Sequence, residues 1–180
     1  WERLETGELT REQVMLGRFH EFFESEGLPT DQVKVFNDEY QIRLGDKAFF
    51  CDHGDELVKQ LKATVKQYAV TNGTTVAQER KLRFSGLDQL LDGVFISEQV
   101  GVDKPQKAFF DAVWNEIGSY APDEVVIVGD SLTSDIRGGK NAGILTCWYN
   151  PDHLPNKIEV TPDCTIDNLQ DILSYLDESR

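Results

Sequence analysis

No stretch of this chain is apolar over the length a bilayer crossing needs, and no leader of the secretory kind is legible in it. Basic residues are scarce: 18 Lys and Arg face 32 Asp and Glu, for a formal net charge of -14. A field of that sign repels polyanions, which argues against nucleic acid or an anionic membrane as partner. A small anion stays compatible where a local Lys and a divalent cation outweigh the field. Cysteine is limited to Cys51, Cys147 and Cys164, scattered without the spacing of a metal site. Buried free thiols in a reducing, cytoplasmic setting are therefore expected. Methionine is scarcer still, with Met15 alone in a chain that opens at Trp1, so the natural start is expected upstream. What is present, 39% hydrophobic and 28% charged residues over 180 positions, suits one good-sized core or a core with a small appendage.

Two amphipathic helices are predicted first. Thr10 to Gly27 opens on a Thr10/Gln13 capping box, carries Met15, Phe19, Phe22 and Phe23 on one face, and ends at Gly27 and Pro29. Thr30 to about Gly45 carries Val33, Phe36, Tyr40 and Leu44, and the two form a helical hairpin whose aromatic stripe reads as core packing. After Lys47 the pattern changes to helices alternating with short strands. Helices are expected over 54–62, 76–84, 105–117, 134–142 and 168–176, and strands over 66–70, 93–97, 125–128, 144–148 and 164–166. That alternation means right-handed βαβ units and a parallel sheet.

Three short segments carry chemistry. Val125 to Val128 reads as a buried strand, and at its C-terminal end, where open α/β sheets place ligands, stand Asp130 and Asp135. Two carboxylates gathered there repel unless a cation or basic group sits between them, and such oxygen donors suit magnesium. The plainer reading is an acidic helix N-terminus. At Thr71-Asn72-Gly73, a strand ends and a helix begins, aiming a hydroxyl and backbone N–H groups at a point that suits phosphate. The plainer reading is an Asn-Gly turn with Thr74 as N-cap. Lys104 lies in a third strand-to-helix loop before Pro105, able to bind phosphate or to hold carboxylates together; alone it reads as a surface lysine. Intervals of 33 and 26 residues separate Thr71, Lys104 and Asp130, each about one βαβ unit of roughly 30 residues. One hydroxyl, one cation and one acid pair therefore return to the same rim.

These segments, with Gly129-Asp130-Ser131 running to Ser134-Asp135, resemble the second, third and fourth motifs of the haloacid dehalogenase-like (HAD-like) superfamily. Val94 to Glu98 and Asp135 to Gly143 are most similar to its noncanonical pyrimidine 5′-nucleotidases. The resemblance implies a Rossmann-like α/β core over 48–180 and, in 1–47, part of a small helical cap. It implies a phosphate site of Thr71, Asn72, Gly73 and Lys104, a magnesium site at Asp130 and Asp135, and a catalytic part for Lys104 and Asp135. In that scheme Lys104 neutralises charge, and Asp135 supports the metal or orients Lys104. The implied substrate is a small phosphorylated metabolite, a nucleoside monophosphate. Haloacid dehalogenation and a non-catalytic phosphate- or partner-binding role stand as alternatives on the same fold.

The family's first motif, a central strand ending in Asp-x-Asp, supplies its nucleophile and acid/base and is absent from these residues. Asp52-His53-Gly54-Asp55 precedes a helix instead of ending an apolar strand. The expectation is a chain without turnover, whose sheet is broken where that strand belongs. His20, His53 and His153 share no partner spacing and are expected at the surface or in linkers.

Overall fold

Thr10 closes its capping box as the residues require: Gln13 N–H donates to Thr10 Oγ at 3.2 Å, and Thr10 N–H donates to Gln13 Oε1 at 2.8 Å. In the computed structural model, which describes residues 2–5, 7–118 and 120–178, a short helix α1 (Glu2–Glu5) precedes this cap and α2 (Arg11–Ser25) follows it. Gly27, at φ +67°, turns the chain, a single 3-10 turn covers Thr30–Gln32, and α3 (Val33–Gly45) completes the hairpin. Phe19 and Phe23 meet Phe36 and Tyr40 edge-on, with ring centroids 5.0 to 5.2 Å apart.

The face that α3 buries differs from the apolar stripe the sequence displays. Val33, Asn37, Gln41 and Gly45 are buried, whereas Phe36 and Leu44 are 43% and 39% exposed. Close approach to the next layer decides this. A Cβ on Gly45 would stand 2.5 Å from Arg80 Cβ, so Gly45 faces its neighbour, and Gln41 on the same face accepts from Thr74 Oγ at 2.9 Å. Phe22 is likewise half exposed on α2.

The rest alternates: α4 (Gly54–Leu61), β1 (Tyr68–Thr71), α5 (Thr75–Ser85), β2 (Gly93–Ile96), the single turn α6 (Ser97–Val100), and α7 (Lys107–Ile117). Then come β3 (Val126–Gly129), α8 (Arg137–Ala142), β4 (Leu145–Tyr149), β5 (Cys164–Ile166) and α9 (Ile172–Glu178). Several boundaries shift from expectation: β1 starts two residues late, and the last helix starts at Ile172 after a 3-10 turn over Leu169–Asp171. Pro105 lies two residues ahead of α7 instead of opening it, and the helix expected from Ser134 begins earlier, as a π turn over Leu132–Ile136.

Among the described residues the five strands run parallel, in two sheets. β1 pairs β2 from Tyr68↔Gly93 to Thr71↔Ile96. β4 pairs β3 from Val126↔Leu145 to Gly129↔Trp148 on one side and β5 from Cys147↔Cys164 to Tyr149↔Ile166 on the other. Among the described residues nothing pairs β1 with β3. Yet both sheets rest on one apolar cluster, in which Phe109, Phe110 and Val113 of α7 meet Ile127 and Ile144, with Val70 and Phe95 at its border. Val128, which a two-sided parallel sheet would bury, is 39% exposed. The architecture is the expected α/β fold with its break in the expected place.

Glycines let α8 lie close to the sheet: a Cβ on Gly139 would come within 2.5 Å of Ile127 Cγ2 and 2.6 Å of Thr146 Cγ2. Cys147 is buried and Cys164 half-buried, but Cys51, in the bend before α4 with no layer over it, is exposed against expectation. No helix among the described residues is long and apolar enough to cross a membrane.

Candidate active site

The end of β1, the loop after α6 and the turn after β3 bring polar residues together. After β1, the Asn72 side chain reaches across to the Lys104 backbone: its amide donates to Lys104 O at 2.9 Å, and its oxygen accepts from Lys104 N at 2.9 Å. These two bonds satisfy both backbone polar groups of Lys104, which the sheet cannot reach, and they hold the Thr71-Asn72-Gly73 and Lys104-Pro105 segments edge to edge. Thr71 Oγ accepts from Gln78 Nε2 at 2.9 Å, which leaves the hydroxyl proton to be donated elsewhere. Gly73 N–H is engaged with Ser97 Oγ at 3.2 Å.

Lys104 itself is only 5% exposed. Its ammonium donates to the Val70 carbonyl at 2.8 Å and to Asp135 Oδ1 at 2.6 Å. A buried ammonium is tolerated only with such partners. Asp135 is 7% exposed, and its other oxygen accepts from Ser131 N–H at 3.1 Å. Each carboxylate oxygen of Asp135 thus accepts one hydrogen bond, and one of the two comes from Lys104. The π turn brings the carboxylate back to the strand end, and Gly129 makes the room: a Cβ there would overlap Asp135 Oδ2 at 2.3 Å.

Asp130 is different. It is exposed, its carbonyl accepts from Trp148 Nε1 at 3.0 Å, and its carboxylate has no protein partner among the described residues. Those residues also hold no cluster of three or more His, Cys, Asp and Glu able to enclose a metal. Magnesium needs no such cage. It usually takes one or two carboxylates and completes its octahedron with water and substrate phosphate, so an exposed, uncommitted Asp130 fits it as an anchor.

Hydrogen bonds therefore join Asn72, Lys104 and Asp135, with Thr71 and Gly73 flanking Asn72 in the chain and Asp130 just past the end of β3, five residues ahead of Asp135. The match is not to a motif alone. Residues 3–143 fit the haloacid dehalogenase-like hydrolase family. This chain belongs to that family. It is 35% identical over 176 residues to the HAD-hydrolase YfnB of Bacillus subtilis, covering 98% of this chain and 74% of the relative. It is 34% identical over 180 residues to the pyrimidine 5′-nucleotidase PynA of Streptococcus pneumoniae, covering 99% and 76%. The pyrimidine 5′-nucleotidase YjjG of Escherichia coli is 31% identical over 98% of this chain and 77% of its own length. The crystal structure of YfnB bound to magnesium superposes with a TM-score of 0.91 at 34% identity, over 98% of this chain and 77% of that one. A 2-haloacid dehalogenase from Pseudomonas syringae shares the fold, with a TM-score of 0.69 at 24% identity, over 90% and 69%.

Sequence reasoning overlooked part of this HAD-like rim. Ser97 and Asp103 stand within or beside quoted motifs but carry no signal of their own, and Gln78 and Arg11 touch the cluster from helices whose pattern reads only as amphipathic. Two clefts of about 540 and 510 Å³ flank α3, and neither is lined by Thr71, Lys104 or Asp130.

Proposed function

We propose that the chain is the phosphate-binding body of a magnesium-dependent phosphohydrolase acting on nucleoside 5′-monophosphates of the pyrimidine type. The observation that carries this reading is the buried Lys104, held between the Val70 carbonyl and Asp135 and tied through its backbone to Asn72. A fixed positive charge at a strand end, beside a free Thr71 hydroxyl proton, suits a phosphoryl group, where positioning and charge neutralisation supply most of the catalysis. The names of PynA and YjjG support a pyrimidine nucleotide as substrate.

In this reading the Thr71 hydroxyl and the Asn72 backbone N–H bind phosphate oxygens. Lys104 neutralises their charge, Asp135 keeps Lys104 aimed, and Asp130 anchors the metal. Bound magnesium would draw negative charge from the phosphate as a Lewis acid. Residues 1–47 are part of a cap and 48–180 the core. The chain holds no Asp-x-Asp at the end of an apolar strand, so the 180 residues alone bind phosphate without turning it over.

Calorimetry and a phosphate-release assay with PynA run alongside test this. The purified chain is expected to bind inorganic phosphate and UMP in magnesium buffer, UMP more tightly than AMP, and to release no phosphate from UMP above blank. Release at the PynA rate would overturn the assignment of the chain as inactive. Absence of any phosphate affinity in the folded chain would overturn the phosphate site itself.

A further inference from the structure

One side chain from the helical hairpin reaches into the rim. Arg11, the first residue of α2, donates from Nη1 to the Gly73 carbonyl at 2.8 Å and from Nη2 to Ser97 Oγ at 2.7 Å, and it pairs with Asp103. The pair is largely removed from water, with the Arg11 side chain 18% exposed and that of Asp103 11%. Ser97, fully buried, is the same hydroxyl that accepts from Gly73 N–H at 3.2 Å. Gly73 is therefore gripped twice, its N–H through Ser97 and its C=O directly by Arg11.

These contacts close a circuit. Arg11 holds Asp103; Asp103 is bonded covalently to Lys104; the Lys104 backbone is held by Asn72; Asn72 is bonded to Gly73; and Gly73 returns to Arg11. We propose that Arg11 is a positioning residue that sets the angle of the Thr71-Asn72-Gly73 loop against Lys104, so that the hairpin must be docked for the phosphate site to have its working shape. This inference rests on the phosphate-binding reading above.

The guanidinium suits the task because it is a planar fork with donors in fixed directions, able to serve three acceptors together. A lysine would carry the same charge without that fork. Two consecutive peptide groups, Asn72–Gly73 and Gly73–Thr74, are pinned by the Arg11–Ser97 pair, and they border the Thr71 hydroxyl and the Asn72 amide. Small misplacements at such a site lose large factors, about 10²-fold for a shift of roughly 1 Å.

The hairpin has a second ionic tie to the α/β layers, between Asp46 and Arg80, which touches none of the rim residues. It provides the control for the test. Inorganic phosphate affinity in magnesium buffer is measured by calorimetry on the full 180-residue chain, with Tm recorded for every variant. Arg11→Met and Arg11→Lys are expected to weaken phosphate binding at least about tenfold, Asp103→Asn to weaken it in the same direction, and Arg80→Met to leave it within about twofold whatever its Tm. Amide shifts of Asn72, Gly73 and Lys104 are expected to move together in the Arg11 and Asp103 variants and to stay in place in Arg80→Met.

Wild-type affinity in Arg11→Met, equal loss in Arg80→Met, or full recovery in Arg11→Lys would each overturn the proposal, the last by reducing Arg11 to a charge. Should Arg11→Met fail to fold, Asp103→Asn decides the same question: unchanged affinity sinks it. A folded wild-type chain with no phosphate affinity brings down the phosphate reading and this inference with it; affinity shared equally by wild type and Arg11→Met brings down this inference alone.

Discussion

Asp135 folds back over Gly129 so closely that a Cβ at position 129 would meet its Oδ2 at 2.3 Å and its Cγ at 2.4 Å. A methyl group there requires Asp135 to shift from the position in which it accepts from Lys104 and Ser131. Gly129→Ala is expected to destabilise the chain by about 1–3 kcal/mol through overpacking and to weaken phosphate binding by displacing Lys104. Denaturant melts and phosphate calorimetry check both. A variant with wild-type stability and affinity would show that the strand end yields more easily than its contacts suggest.

Lys104 and Asp135 form an ion pair with side chains 6% and 10% exposed. Removing one partner leaves the other charged and dry, at about 3–5 kcal/mol. Asp135→Asn and Lys104→Met are each expected to lower Tm by roughly 10 °C, given about 2–4 °C per kcal/mol for a chain of this size. The double variant is expected to lose far less than the two losses added together, since it buries neither charge alone. A double-mutant cycle measures that coupling, and additive losses would contradict it.

Asp163 makes stability depend on pH at a distance from the rim. Burial alone would raise its carboxyl, but hydrogen bonds from Lys140, at 2.6 Å, and from the Thr146 hydroxyl and amide, at 2.8 Å each, hold it below the usual carboxylate range. A lowered folded value contributes stability that is present above the unfolded value of about 4 and lost as pH falls through the folded one. Asp163→Asn is expected to cost about 1–2 kcal/mol at pH 7, a modest figure because a third of the side chain meets water. Thermal melts across pH are expected to show a constant gap to wild type between pH 5 and 8 that closes below about pH 4.

Thiol chemistry separates the three cysteines. Cys51 is exposed, whereas burial, followed by its contact with Cys164, pushes the Cys147 thiol far up, and burial raises Cys164 as well. The thiolate is the reactive form. Iodoacetamide at pH 7.5 is expected to modify Cys51 quickly and Cys147 only on unfolding, as read by mass spectrometry of digested peptides. Rapid labelling of Cys147 in the folded chain would mean that β4 opens far more readily than its burial implies.

What the sequence determined by itself was the frame and the chemistry on its rim. Short β-branched runs between amphipathic helices specify parallel βαβ units, because local propensity and periodicity act within a few residues. The expectation that Thr71, Lys104 and Asp130 share one edge follows from the length of a βαβ unit. The missing pairing between β1 and β3 was legible only through the family resemblance, which implies a central strand ending in Asp-x-Asp that these residues do not hold. Tertiary structure alone decided that α3 buries Asn37, Gln41 and Gly45 instead of its aromatic stripe, because the partner is the polar start of α5, remote in sequence and requiring a glycine for close approach. It also decided that Asp135 pairs with Lys104 and that Arg11 bonds Gly73, since hydrogen bonds across 31 and 62 positions leave no period or spacing to read. Those contacts depend on where remote backbones come to rest, and only packing settles that.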